Sequence, residues 1–360
     1  MKVLQIINSH ADTAGGAEKL ANQLHRGFQE KGIESHLLCL SKAPSNRRDN
    51  IYSLGLSTAY HPAVFFRLLR FLRQARWRDV DIIHVHLFPA QLVFALAARF
   101  LKLRAVFLTT EHNTFNRRRQ IPGAKWVDRF YYRSFRKVVC ISEGTRQTMA
   151  QWLPELEPKL TTILNGVDVS KYSISRDENK EAQHPLIIIS AGRLTKQKNH
   201  IAAIRAMKHV SSPCEYWIAG RGELETGLKE EVKSLGLEDT VKFLGFRDDL
   251  PTLLQRADVF LFTSLWEGFG LSVVEAMAAG LPVVVSDVPG VSEIVGRESN
   301  SGLFVDPSSP EDIAARLEEL LRNEELRVAM GRGGRQRAAF FDIHRMTDDY
   351  VRLYTEMQTP

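Results

Sequence analysis

Cysteine is scarce in this chain of 360 residues: Cys39, Cys140 and Cys214 lie far apart and form no CxxC pair. That excludes a disulfide framework and a cysteine-built zinc site, and it suits a reducing compartment. No window supplies the roughly 18 uninterrupted apolar residues of a spanning helix. The opening MKVLQIINSHAD lacks a cleavage pattern and reads as a first strand. A GxGxxG dinucleotide fingerprint is missing after that strand, where only Gly15-Gly16 occurs, and Gly220-Arg221-Gly222 lacks the third glycine. Short repeats and low-complexity tracts are absent too. What remains is an ordinary globular composition, 44% hydrophobic and 25% charged, and the expectation is a soluble cytoplasmic protein.

Net charge is +6, but it is unevenly placed. Residues 1–165 carry 25 Lys and Arg against 12 Asp and Glu, a balance of +13, whereas the remainder carries 23 against 30, or −7. Such asymmetry points the first half toward an anionic surface, either membrane or nucleic acid.

Strand-like runs at Val3–Ile7, Ser35–Leu40, Asp81–Val85, Ala105–Thr110 and Lys137–Ile141 alternate with helical patterns. The style repeats at Leu186–Ser190, Glu215–Ala219, Val241–Leu244, Val259–Thr263 and Pro282–Ser286. Alternation of this kind argues for parallel sheets covered by helices on both faces. The length predicts two such units, an α/β protein of two doubly wound, Rossmann-like domains facing across a cleft. Residues 1–165 form the first domain, 166–184 a polar linker, 185–340 the second domain, and 341–360 a last helix crossing back to the first.

Three stretches carry chemistry. Gly15 and Gly16 open a helix directly after the first strand, which is either a tight strand–helix turn or a place where backbone approaches a phosphate. Arg193 and Lys198 follow the strand Leu186–Ser190, at the strand end where doubly wound sheets bind ligands. A guanidinium fork with an ammonium suits a diphosphate; a solvated basic turn is the bland alternative. The third, WEGFGLSVVEAM, places Glu267 and Glu275 around a Gly268-Phe269-Gly270 loop that opens an apolar helix. Helix-start amides favour an anion and carboxylates accept from hydroxyls, so a nucleotide sugar satisfies every group in the stretch.

Glu267 and Glu275 form an E-x7-E pattern, and the chain resembles the retaining glycosyltransferases of family 4. Further points of similarity are Gly15-Gly16-Ala17-Glu18, Asp81 to His86, Glu111-His112, Asn165-Gly166-Val167-Asp168, Gly192-Arg193-Leu194 with Lys198, Gly220-Arg221-Gly222, Phe243 to Phe246 and Met330-Gly331. The resemblance implies the GT-B fold and residue roles. Arg193 and Lys198 hold the donor diphosphate with the backbone at Gly16. Glu275 binds the ribose, and backbone near Arg247 meets the base. Glu267, with backbone at Gly268, Phe269, Gly270 and Leu271, holds the transferred sugar, and His112 sits beside it. It further implies a hexosyl or N-acetylhexosaminyl donor carried on UDP rather than GDP, a same-face mechanism, and no metal or other cofactor. An epimerase of the same fold and a non-catalytic nucleotide-sugar-binding partner are the alternatives.

On the acceptor side the expected residues are His86, Glu111, Asn113 and Arg117. His84 and His86 are expected on opposite strand faces, a poor metal pair. Pro62–Trp77 is expected as one helix with Val64, Phe65, Leu68, Phe71, Leu72 and Ala75 on its inner arc. Phe66, Arg67, Arg70, Arg73 and Trp77 on the outer side suit an anionic membrane, or are simply solvated. The expected partners are thus a nucleotide sugar, a lipid-linked or anionic glycan acceptor, and the inner face of the cytoplasmic membrane. Nucleic acid is not expected, and oligomeric state is open.

Overall fold

The computed structural model describes residues 1–10, 15–43, 49–173 and 185–358, so most of the expected linker lies outside them. The first elements are β1 (Lys2–Ile7), α1 (Gly16–Glu30), β2 (Glu34–Ser41), β3 (Ile51–Leu56), α2 (Val64–Leu72), β4 (Ile82–His86), α3 (Ala90–Ala98), β5 (Val106–Glu111), α4 (Ala124–Tyr132), β6 (Lys137–Cys140), α5 (Glu143–Trp152) and β7 (Leu160–Thr162). There follow β8 (Leu186–Ala191), α6 (His200–Met207), β9 (Cys214–Ala219), α7 (Glu225–Leu235), β10 (Val241–Gly245), α8 (Leu250–Arg256), β11 (Val259–Phe262), α9 (Leu271–Ala278), β12 (Val283–Ser286), α10 (Val291–Val295) and β13 (Gly302–Val305). Three helices close the chain: α11 (Pro310–Arg322), α12 (Glu324–Ala338) and α13 (Ile343–Gln358).

Contacts gather these into two compact units, Met1–Gly166 with Ile343–Pro360, and Val167–Asp342. Each holds one parallel sheet. The first has seven strands in the order β3-β2-β1-β4-β5-β6-β7, the second six in the order β10-β9-β8-β11-β12-β13. Both are doubly wound α/β units, with strand order reversing between β1 and β4 and between β8 and β11. Beyond the carboxyl ends of the strands at such a reversal, such sheets bind ligands.

Sequence explains the central strands simply. LIIISA in β8 and VVVS in β12 are buried along their whole length, as strands covered on both faces must be. Helix starts are chemically marked: Ser142 accepts from the amide of Thr145 at 3.0 Å before α5, and Ser309 accepts from Asp312 at 3.2 Å before α11. The apolar pattern does not announce β3, β7 or β13. All three are edge strands, so half-solvated positions dilute their apolar runs. In the first unit, α13 packs against α1, with the Phe28 and Tyr354 ring centroids 5.4 Å apart. Burying Tyr350 and Tyr354 completely contributes on the order of 2 kcal/mol each before entropy.

The helix expected over 62–77 is shorter. It stops at Leu72, Gln74 is extended, and a 3-10 turn covers Ala75–Trp77. The break overturns the expected membrane-facing Trp77, which is 1% exposed. Its ring stacks on Phe71 at 4.9 Å and meets Tyr52 and His36 edge-on. Ala75, expected inside, is exposed. Phe66 remains 71% exposed beside exposed Arg67, Arg70 and Arg73. Among the described residues, no helix is long and apolar enough to cross a membrane.

Candidate functional site

In the second unit the loops that follow β8 and β11, neighbours at the reversal, are laced together. Leu265 N–H donates to Gln197 O at 2.8 Å, Gln197 Nε2 donates to Trp266 O at 3.0 Å, and Thr263 Oγ1 donates to Lys198 O at 3.2 Å. The lacing brings Lys198 Nζ to 2.6 Å from Glu267 Oε1. Ser264 Oγ donates to the same oxygen at 3.0 Å, and the ammonium lies 4.6 Å from the Phe262 ring centroid. Glu267 is 8% exposed. An ionised carboxylate tolerates that burial only when paired and hydrogen-bonded, and Lys198 meets the requirement.

Glu267 leads into Gly270, whose φ of 112° and ψ of 57° turn the chain abruptly into α9. Only glycine adopts that conformation without strain. Gly290 permits the same loop a close neighbour, since a Cβ there would sit 2.9 Å from Gly268 O and 3.0 Å from Glu267 O. Phe269 is turned inward, 2% exposed with its ring 5.6 Å from that of Phe341, so the loop offers its backbone there. The amides of Val273 and Val274 donate to Gly270 O at 2.9 and 3.4 Å, while those of Leu271 and Ser272, ahead of them, lie at the positive end of the helix dipole with no acceptor inside the helix.

Arg193 is exposed and has no ion-pair partner among the described residues. Glu275, half-buried on α9, is hydrogen-bonded by Tyr172, whose phenol is raised by burial and then by that carboxylate. Tyr172 was invisible to pattern reading, because it stands in a turn 103 residues before Glu275. The Arg247 side chain is exposed and donates to Asp249 through two bonds of 2.7 and 2.5 Å.

The first unit builds its polar cluster from histidines. His84 and His86 share a face, with ring centroids 3.9 Å apart. This corrects the expectation of opposite faces: the residues are two apart, and strand side chains alternate with period two. His84 Nδ1 meets Tyr354 OH and its Nε2 meets Thr110 Oγ1, each at 2.7 Å. His86 Nε2 lies 3.2 Å from Gln5 Oε1, and its Nδ1 lies 3.4 Å from His112 Nε2. Burial holds His112 down to about 3 and lowers His84 and His86 well below 6.5, so all three rings are neutral at pH 7.

Glu111 is taken up by a buried ionic knot. Tyr132 OH and Arg119 Nη2 donate to it, the latter at 3.2 Å, while fully buried Asp128 pairs with Arg118 and accepts from Trp152 Nε1 at 2.9 Å. Asn113 and Arg117 are exposed beside this knot. Gly15 is the extended residue before α1 and Gly16 its exposed first residue.

Two family models account for most of the chain: Glycosyltransferase Family 4 over residues 14–171, and Glycosyl transferases group 1 over residues 172–337. A lipopolysaccharide core biosynthesis glycosyltransferase of Rhizobium meliloti (strain 1021) is 26% identical over 360 residues, covering 98% of both chains. The UDP-Gal:alpha-D-GlcNAc-diphosphoundecaprenol alpha-1,3-galactosyltransferase of Escherichia coli is 26% identical over 293 residues, 77% of this chain and 76% of that one. Among solved structures, Anabaena Alr3699/HepE in complex with UDP-glucose matches with a TM-score of 0.85 at 18% identity, covering 99% of this chain and 100% of the other. At that identity the match is one of fold, the GT-B fold.

Proposed function

This chain belongs to glycosyltransferase family 4, and from that premise we propose that it moves a hexosyl or N-acetylhexosaminyl unit from a UDP-sugar to a lipid-linked or lipopolysaccharide acceptor, with retention of configuration. The observation that carries the reading is the Lys198–Glu267 pair, 2.6 Å apart at the strand reversal of the second unit. An ammonium has three donor hydrogens, so Lys198 serves a diphosphate oxygen while still fixing Glu267. Arg193 adds the second cation. Glu267 and the backbone that follows it hold the sugar, and Glu275, steadied by Tyr172, accepts from the ribose hydroxyls. His112 is assigned to a hydroxyl of the sugar under transfer.

In the reaction, the bond between the sugar's anomeric carbon and the diphosphate oxygen breaks. The acceptor hydroxyl oxygen bonds to the same carbon on the same face, and its proton passes to the departing diphosphate. Negative charge therefore grows on the diphosphate, where Arg193 and Lys198 stabilise it electrostatically. That role makes a divalent cation unnecessary, and activity is expected to persist in a chelator. UDP and the acceptor class are supported by the names of the Escherichia coli and Rhizobium meliloti relatives.

Docking of the first unit on an anionic membrane completes the reading. Phe66 and Phe100, 71% and 65% exposed, flank Phe65 at 5.3 and 5.9 Å among exposed Arg67, Arg70 and Arg99, and aromatic side chains among cations suit an interface. The test is a thermal-shift panel of UDP-, GDP- and ADP-sugars, followed by transfer of the stabilising donor to GlcNAc-diphosphoundecaprenol and NMR of the product's anomeric signal. A rise in melting point with a UDP-sugar and an α-linked product are expected. No stabilisation by any donor, or an inverted product, overturns the proposal.

A further inference from the structure

Gln5 is a polar side chain in the middle of β1, completely buried, whose Nε2 has no hydrogen-bond partner. As packing it is a poor choice, because an unsatisfied buried amide group is destabilising where an apolar residue of that shape is not. Its other end has a directional partner. Gln5 pairs in register with His84, and His86 with Thr110, at the point where the first unit's strand order reverses. His84, held at both nitrogens by Tyr354 and Thr110, lies against His86 with the ring centroids 3.9 Å apart and the planes tilted by 38°.

The bonds leading from Gln5 run in one direction. A carbonyl oxygen only accepts, so His86 Nε2, 3.2 Å from Gln5 Oε1, carries the ring's proton. A neutral imidazole has one N–H, which makes His86 Nδ1 an acceptor. His112 Nε2, 3.4 Å from it, must donate, and His112 Nδ1 is left unprotonated. Burial keeps both rings in the neutral form this accounting needs.

We propose that Gln5 and His86 are positioning residues that set the tautomer of His112, so that its Nδ1 presents a lone pair to a hydroxyl of the transferred sugar. The purpose rests on the donor role given to His112 above, whereas the tautomer itself does not.

Long-range proton–nitrogen NMR on the full chain with ¹⁵N-labelled imidazoles reads the tautomers directly. In the unaltered protein His86 and His112 are both expected as Nε2–H. Gln5→Met keeps the side-chain length and removes the acceptor, and His86→Phe removes the relay. In both variants the His112 signals are expected to move to a mixture of the two tautomers. The value of kcat should fall about 10-fold, as for other lost orienting partners of a histidine, with donor KM unchanged. Gln5→Met should melt no lower than the parent, since it deletes an orphaned amide. His112 found as Nδ1–H in the parent, or an unmoved tautomer in Gln5→Met, overturns the relay. A moved tautomer with unchanged kcat sustains the relay and removes His112 from the transfer reaction.

Discussion

Each unit gathers buried polar groups where its sheet reverses, and the two make that burial tolerable in opposite ways. The first does it by removing charge: His84, His86 and His112 lie at 0%, 0% and 8% exposure as neutral rings in a chain of hydrogen bonds. The second does it by pairing charge, Lys198 against Glu267. Neutral imidazoles can orient a hydroxyl, while cations can take up charge from a departing diphosphate. In the function proposed above, orientation thus falls to one unit and electrostatic work to the other.

The sharpest way to break the contrast is Lys198→Ala. It takes the cation from a buried carboxylate and leaves Ser264 as a neutral donor to it, which should cost about 3 kcal/mol of stability, and kcat/KM should fall at least about 100-fold. Denaturant unfolding and steady-state kinetics read the two effects. Arg193→Ala separates them: the side chain is exposed, so turnover should fall roughly 100-fold with the melting point unmoved. Glu275→Ala should instead raise donor KM about 10-fold, the worth of a hydrogen bond to a charged group. Equal changes in both constants for both variants would contradict the division of labour.

Acid should expose the other strategy. A ring whose pKa is depressed by folding binds no proton in the native state, while the unfolded chain binds one below about 6.5. The stability it contributes is complete above about pH 6.5 and is lost as pH falls toward the folded value, about 3 for His112. Each such ring costs roughly 1.4 kcal/mol per pH unit across that window. The first unit has His25, His36, His84, His86 and His112 in this condition, while the second has His200, lowered to about 4 by burial and then by Lys198. Hydrogen exchange between pH 7 and pH 5 should therefore lose protection first in peptides of the first unit. The smallest effect expected is at the surface: Phe66→Ser with Phe100→Ser should weaken sedimentation with anionic vesicles roughly tenfold, leaving donor binding unchanged.

Much of this was legible before any coordinates. Continuous apolar runs such as LIIIS and VVVS announce buried parallel strands, and WEGFGLSVVEAM places two carboxylates around the start of a helix. Other features were not. The half-solvated edge strands β3, β7 and β13 have no clean pattern. Trp77 looks like an outer residue on an unbroken helical wheel, and the break after Leu72 turns it inward. Gln5 is one polar residue in an apolar strand, and its meaning depends on His86, 81 residues away. Tyr172 acquires a role only through contact with Glu275.

By itself the amino-acid order settled the family, the alternation of strands and helices, and which residues bear charge, because those depend on local pattern and on motifs contiguous in the chain. Only the tertiary structure decided which charges are paired, which imidazoles are neutral, and which nitrogen of His112 is left with its lone pair. Those are matters of distance and burial between residues far apart in sequence.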